Sequence, residues 1–284
     1  MRVLVTGGSG YVGSVVCERL TRAHEVVSFD SRLPEHGHGR FIRGDILNSA
    51  HLLEAMNGID AVVHLAAIPH PAYDPSDAVM MINVMGTQRV VEAAALGSPK
   101  RLVFASSDSA YGFVFGRGEI LPSYLPVDED HPAEPLDCYG LSKLLGEEIC
   151  RRYTRSHALE TVCLRYCWVW NEALYQNLAG LSRDPGQFVG QLWGYVDARD
   201  VAQAVEKSLT TPGITHATLN ISALRTFQTL PTLDLVDRYL PDVAQLDDPV
   251  WDDPHCALIS IDRARDLIGF EPEYDCREQA GLTA

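Results

Sequence analysis

Two spacings of apolar residues take turns along the chain. Short, nearly unbroken apolar runs lie at Val3-Leu4-Val5, Glu25 to Phe29, Phe41 to Asp45, Asp60 to Ala67, Arg101 to Ala105, Glu160 to Arg165 and Ala217 to Ile221, and they predict seven strands. Between them apolar residues return every three or four positions, as in Val12, Val15, Val16 and Leu20, which is the spacing of a helix with one buried face. The same spacing predicts a crossover helix at Leu52 to Met56 and a long helix from Ser76 to Leu96 whose apolar face is interrupted by Asn83 and Gly86. It predicts another from Leu136 to Tyr153, and a further one entered from Tyr195 to Ala202. The tail reads as a short strand (Ile259 to Asp262), an Asp262 N-cap, a helix from Arg263 to Leu267 and a glycine stop at Gly269. Strand and helix alternate throughout, so the sheet is expected to be parallel and doubly wound, with ligands gathering at the C-terminal strand ends.

The first strand runs into Thr6-Gly7-Gly8-Ser9-Gly10-Tyr11-Val12-Gly13, and a helix follows. Glycines at 7, 10 and 13 let the backbone approach a pyrophosphate at the helix N-terminus, where free N–H groups and the helix dipole favour an anion. That is the turn of a Rossmann-type dinucleotide fold. The second strand ends at Asp30, where a carboxylate can accept both hydroxyls of an adenosine ribose and repel a 2′-phosphate, which favours NAD over NADP. Arg32, two residues on, is the counter-indication. Asp45 closes the third strand, within reach of an adenine amino group, and after Leu65 the pair Ala66-Ala67 supplies the small residues expected where backbone lies against a cofactor.

Chemistry concentrates after the fifth strand. It stops at Ser106-Ser107-Asp108-Ser109, before a long Pro- and Gly-containing loop that leads to Tyr139-Gly140-Leu141-Ser142-Lys143 and is expected to cover substrate. Four residues apart on a helix, Tyr139 and Lys143 share one face. A cation beside a phenol favours phenolate, and lowering a phenol from ~10 towards neutrality takes ~4 kcal/mol of differential stabilisation. The chain has only three lysines (Lys100, Lys143 and Lys207), so their use at this position carries weight. A strand-end hydroxyl facing that pair can hold the oxygen that Tyr139 protonates or deprotonates. After the sixth strand, Tyr166-Cys167-Trp168-Val169-Trp170-Asn171 is expected to form an aromatic platform for nicotinamide and sugar.

Composition narrows the field. At 284 residues with 46% hydrophobic and 21% charged residues the chain has the make-up of one large α/β domain with a small appendage. Residues 1–165 are expected to form the dinucleotide-binding domain with the catalytic residues. Residues 166–284 are expected to complete the sheet (about 195–222) and to form a small C-terminal substrate-binding subdomain. A net charge of −15 without a long basic run argues against nucleic acid or an anionic membrane as partner. Seven scattered cysteines with no Cys-x-x-Cys pair argue against both a disulfide framework and a zinc site, and no metal is expected; His36 and His38 belong to a solvated loop. The N-terminus has no leader and no apolar run is long enough to span a bilayer, so a cytoplasmic protein is expected.

With these residues in place the sequence resembles the extended short-chain dehydrogenase/reductase family, which includes sugar-nucleotide epimerases, dehydratases and uronate dehydrogenases. Thr6 to Gly13, Gly44-Asp45, His64 to Ala67, Asn83 with Gly86-Thr87, Ser106-Ser107, the Tyr139/Lys143 pair and the tail Ile261 to Pro272 are similar to its motifs, over nearly the whole chain. The resemblance implies an oxidoreductase in which Ser107 orients the reacting hydroxyl or carbonyl, Tyr139 is the general acid/base, and Lys143 holds the ribose and lowers the tyrosine pKa. Ser107 is preferred to Ser106 because it lies four residues before Tyr111-Gly112. It implies NAD contacts from Gly7, Gly10, Tyr11, Val12, Gly13, Asp30, Ser31, Arg32, Asp45, Ile46, Leu65, Ala66, Ala67, Asn83, Ala105, Tyr139, Lys143 and Tyr166. Substrate contacts are expected from Ser107, Asp108, Ser109, Trp168, Trp170 and Tyr175, and the assembly from a homodimer through the helices around Asn83 and Tyr139. Two departures bear on substrate. Trp168 stands where nucleotide-sugar enzymes commonly have Asn, and the segment from there to Tyr195 is short, with Arg183 and little other positive charge before Arg199. A small sugar, sugar acid or polyol undergoing net redox is therefore expected, with nucleotide-sugar epimerisation or dehydration on tightly bound NAD as the alternative and a non-catalytic NAD(P) sensor as the second.

Overall fold

The computed structural model of the chain describes residues 1–72, 75–115 and 120–281. Seven strands, β1 (Arg2–Thr6), β2 (Glu25–Asp30), β3 (Arg40–Arg43), β4 (Ala61–His64), β5 (Arg101–Ser107), β6 (Glu160–Tyr166) and β7 (His216–Ile221), form one sheet in the order β7-β6-β5-β4-β1-β2-β3. All six pairings are parallel. The winding reverses between β1 and β4, which is where such a sheet opens a crevice beyond its C-terminal edge.

Alternation along each strand sorts side chains between two apolar layers. Val3, Val5, Val103, Val162 and Leu164 face α1 (Tyr11–Leu20) and two later helices, while Leu4, Val27, Val62, Leu102 and Phe104 face α2 (Ser49–Ala55) and the helices that follow it. The predicted long helix is three pieces: α3 (Ser76–Met80), a wide π-turn over Met81–Gly86, and α4 (Thr87–Leu96). Helix α5 spans Cys138–His157, starting two residues later than predicted because the Asp137 carboxylate caps the N–H groups of Tyr139 and Gly140. On the other face, α6 (Ala198–Thr210) packs along α1, and α7 (Asp262–Ile268) ends at Gly269 in the left-handed conformation.

Four local expectations are corrected. Only Ala61–His64 of the fourth apolar run pairs; Leu65 to Ala67 leave the sheet and pass over Gly7. β5 and β6 run on to Ser107 and Tyr166, which lie opposite each other in the ladder. Ile259 makes an isolated bridge to Val127 rather than a strand. Ile261, not Asp262, occupies the N-cap of α7, and its side chain makes no capping hydrogen bond.

A third cluster, rich in aromatics, forms the core of the C-terminal subdomain: Trp170, Tyr175, Trp193, Tyr195 and Phe227 pack together with Tyr111 and Phe113 from the loop after β5. Tyr111, Phe113, Leu125 and Val127 thus contribute to this core as well as residues beyond 166. Of the long loop, 116–119 lie outside the described residues, as do residues 73–74 and 282–284.

Candidate active site

Two hollows lie along the C-terminal edge of the sheet. One, of about 410 Å³, is lined by Gly7, Gly10, Asp30, Arg32, Asp45 and Ile46 among others; the second, of about 570 Å³, sits between β5, α5 and the chain after β6. They share Leu65 and Ala67, so together they make one trench across the reversal point.

The first hollow is shaped by missing side chains. A Cβ on Gly7 would lie 2.6 Å from the Ala66 nitrogen, and one on Gly13 2.1 Å from the Gly7 carbonyl oxygen, so both positions require glycine. Gly7 also has φ +76, in the left-handed region. Gly86 is glycine for a related reason, because a Cβ there would meet Ile46 Cδ1 at 2.5 Å and push that residue out of its place under the hollow. The Asp30 carboxylate accepts from the N–H groups of Ser9 (3.1 Å) and Arg32 (3.0 Å), which orients it at the end of β2 beside Ser31. Asp45 Oδ1 accepts from Leu47 N–H at 2.8 Å, and the Arg43 guanidinium donates to the Ser31 carbonyl. A glycine cradle at a helix N-terminus with a fixed carboxylate at the second strand end fits the pyrophosphate and ribose of a dinucleotide.

The second hollow holds the reactive groups. β5 delivers Ser107 to its floor and α5 delivers Tyr139 and Lys143 to its wall, all three nearly buried. Close approach is possible because residue 140 is glycine: a Cβ there would lie 2.4 Å from the Ser109 carbonyl oxygen. The Ser107 hydroxyl bonds to the Asp108 carboxyl (3.1 Å) and the Ser109 hydroxyl (3.0 Å), whereas that of Ser106 is turned to Glu147 at 2.5 Å. Lys143 Nζ donates to the Ala105 carbonyl at 2.7 Å and lies 5.4 Å from the centre of the Tyr139 ring.

Burial dominates the electrostatics. It pushes Lys143 down to about 8, a fall opposed by the negative charge of Glu147 one helical turn on. It raises the Tyr139 phenol above its ordinary value; the Ser107 hydroxyl opposes that rise, and the charges of Asp108 and Asp137 add to it. The expectation that Lys143 lowers the phenol is therefore not met by the protein alone, since the ammonium is bonded to a carbonyl and desolvation of a phenolate in this pocket outweighs it. Asp108, also buried, is pushed up to about 7.

Of the other residues expected here, Val12, Ala105, Tyr166 and Trp168 line the second hollow, and the Tyr166 hydroxyl is buried without a partner. Four lie elsewhere. Asn83 sits in the π-turn with its amide bonded to both backbone groups of Ile68 and to the Ser142 hydroxyl, so it braces the chain after β4 against α5 rather than facing the trench. Tyr11 is half exposed and donates to the Trp170 carbonyl at 3.2 Å. Trp170 and Tyr175 are fully enclosed in the subdomain core, because Val169–Trp170 pairs with Val196–Asp197 and carries the indole against Tyr195 and Phe227. Of that segment's two tryptophans only Trp168 lines the hollow, beside Tyr166 and stacked on Phe188.

The sequence reading missed the ion pair behind the site. Glu147 and Arg165, both nearly buried, meet at 2.8 Å, and the guanidinium lies over the Tyr111 ring. The signal was present: Glu147 follows Lys143 by four residues on the same helical face. It also missed His64, which bridges the hydroxyls of Thr6 and Thr87 and which burial pushes down to about 3.

Residues 3–221 match the model of the NAD dependent epimerase/dehydratase family. The chain belongs to this family. Its cofactor is NAD, and the trench has the features that hold it. An L-arabinose 1-dehydrogenase (NAD(P)(+)) of Haloferax volcanii is 32% identical over 198 residues, 68% of this chain and 76% of that protein. A UDP-glucose 4-epimerase of Rhizobium leguminosarum bv. trifolii is 26% identical over 97% of this chain and 94% of its own. Among solved structures, a short-chain dehydrogenase/reductase superfamily protein from Agrobacterium tumefaciens with bound NAD superposes with a TM-score of 0.76 at 28% identity, covering 99% of this chain and 95% of that one. Family members of this kind thus include both dehydrogenases and epimerases. No helix among the described residues is long and apolar enough to cross a membrane.

Proposed function

We propose that this family member is an oxidoreductase acting on a carbinol carbon of a small sugar, sugar acid or polyol. NAD, when bound, accepts the hydride. Tyr139 takes the hydroxyl proton, Ser107 holds the same oxygen by a hydrogen bond, and Lys143 binds beside them and places positive charge next to the phenol. In the reverse direction Tyr139 returns the proton to a carbonyl oxygen.

The observation that carries this reading is the lining of the second hollow. Among its described residues Lys143 is the only lysine or arginine, and the walls are Trp168, Phe188, Val114 and Phe115. Two phosphates need cations or several backbone donors, while an aromatic wall suits the apolar face of a sugar ring. Arg183 is exposed and not part of the lining, and the Arg199 guanidinium is paired with Asp197 at 2.7 Å.

Nucleotide-sugar epimerisation is the second reading, favoured by the family and by the full-length similarity to a UDP-glucose 4-epimerase. Calorimetry of the NAD-loaded protein with UDP and other nucleoside diphosphates separates the two. The expected result is no binding there, with NADH forming on addition of a free sugar; micromolar binding of a nucleoside diphosphate overturns the proposal. NAD binding without conversion of any sugar or nucleotide sugar favours a sensor.

We also infer a cytoplasmic homodimer, in which the exposed apolar side chains of Met81, Met85 and Leu141 on the π-turn and α5 are covered by a second copy. Light scattering on the wild type and on Met85→Glu tests it, with loss of the dimer expected in the variant.

A further inference from the structure

Asp108 has no place in the proton transfer described above, yet it lines the same hollow and is 5% exposed. All its partners are neutral: the Ser107 hydroxyl at 3.1 Å, the Cys167 thiol and the backbone at Ser109. Among the described residues no lysine, arginine or histidine pairs with it. The titratable groups around it are Tyr139 on α5 and Tyr166 and Cys167 at the end of β6, with Lys143 and His70 elsewhere in the lining. A buried carboxyl without a cation is stable only if it keeps its proton or finds a ligand that satisfies it.

We propose that Asp108 is the specificity-determining residue of this hollow, hydrogen-bonding a hydroxyl of a neutral sugar and excluding sugars that carry a carboxylate. The inference rests on the reading that the hollow takes a free sugar, and it narrows that reading by removing sugar acids, in contrast to the uronate dehydrogenases that the sequence resembles. Its physical basis is that a carboxyl can donate to or accept from a hydroxyl, whereas two carboxylates in one desolvated hollow cannot both stay ionised. Burial pushes Asp108 up to about 7, so its discrimination against an anion strengthens as the pH rises through neutrality and the group ionises. Below that range the protonated acid donates a hydrogen bond, and discrimination is weaker.

The test is calorimetric titration of the NAD-loaded wild type and Asp108→Asn with D-galactose, L-arabinose and D-galacturonate, at about pH 6 and about pH 8, with thermal unfolding to verify that the variant folds. At the higher pH the wild type is expected to prefer the neutral sugars by about tenfold or more, since two charges at a sugar's width repel by that much or more at an intermediate dielectric. That preference is expected to shrink at the lower pH and to collapse towards unity in Asp108→Asn, whose amide can still accept from Ser107 but carries no charge. A wild type that prefers galacturonate overturns the inference. So does a preference unchanged in Asp108→Asn, or the absence of binding by all three sugars. NADH formation is scored in parallel and separates the two proposals. Discrimination that depends on Asp108 without turnover sinks the oxidoreductase reading alone, and turnover with discrimination indifferent to Asp108 sinks this one alone.

Discussion

Gly140 stands between Tyr139, the proposed acid/base, and the rest of its helix, and replacing it by alanine separates the geometry of the site from the stability of the fold. The added Cβ would lie 2.4 Å from the Ser109 carbonyl oxygen and 2.9 Å from Pro135 Cβ. Since non-bonded carbon and oxygen settle near 3.4 Å or more, α5 and the Ser107–Ser109 turn must part by about 1 Å. The turn yields little, because the same Ser109 carbonyl accepts from Gly112 N–H and Gly112 holds φ +104. The start of α5, with Tyr139, therefore moves. Overpacking costs about 1–3 kcal/mol, and alanine's better helix propensity returns about 1 kcal/mol, so the net loss of stability is expected to be about 0–2 kcal/mol. Turnover responds far more steeply, since a 1 Å misplacement of a reacting group costs on the order of 10²-fold, or about 2.7 kcal/mol at the transition state. The assay measures kcat on the best sugar substrate, NAD affinity by tryptophan quenching, and Tm. The expected pattern is a kcat lowered about a hundredfold, NAD affinity within about threefold of wild type, and a Tm shift of a few degrees. Gly146→Ala is the packing control, because its Cβ would meet the buried Phe104 ring at 2.4 Å, farther along the helix and away from the Ser107–Ser109 turn. Wild-type kcat in Gly140→Ala, or a loss in Gly146→Ala as large, would refute the reasoning.

Tyr139→Phe is expected to lower kcat by about 10²–10⁴-fold, with NAD affinity nearly unchanged, as steady-state kinetics and a binding titration can establish. Asp30→Ala should narrow the preference for NAD over NADP, because it removes the carboxylate at the ribose end of the trench; NADP binding more tightly than NAD to the wild type would show instead that Arg32 or Arg43 governs that pocket. The depressed Lys143 predicts a pH signature. Its folded value of about 8 against 10.5 unfolded means that the native state binds fewer protons between those limits, so its destabilisation is present below about 8 and is relieved as pH rises to 10.5. The size is ~3 kcal/mol. It is read as the difference between wild type and Lys143→Met in denaturant titrations, since buried thiols such as Cys17, pushed up to about 12, pull the other way above pH 9 and cancel in the difference. A flat difference across that range would contradict the burial assigned to the lysine. Glu147→Gln is expected to destabilise the fold by ~3–5 kcal/mol by leaving Arg165 buried and unpaired, measurable in the same titrations.

What the sequence by itself determined rested on periodicity and local chemistry. The seven parallel strands, the glycine turn, the Asp at the end of β2, and Tyr139 and Lys143 on one helical face were all legible, because spacings of two and of three to four residues report which side chains share a face. Only the tertiary structure decided how neighbouring elements divide the polar and aromatic groups between site and core. Trp168 and Trp170 are two residues apart in an aromatic run, but one lines the hollow and the other is sealed in the subdomain core, since a second strand pairing bends the chain between them. Asn83 carries a family pattern, yet its amide faces Ile68 and Ser142 because a π-turn rotates it off the helical register. The direction of the Tyr139 and Lys143 pKa shifts likewise could not be read from their spacing. Spacing brings a cation near a phenol, but the depth of burial, which is a property of all the elements around them, sets the balance between attraction and desolvation.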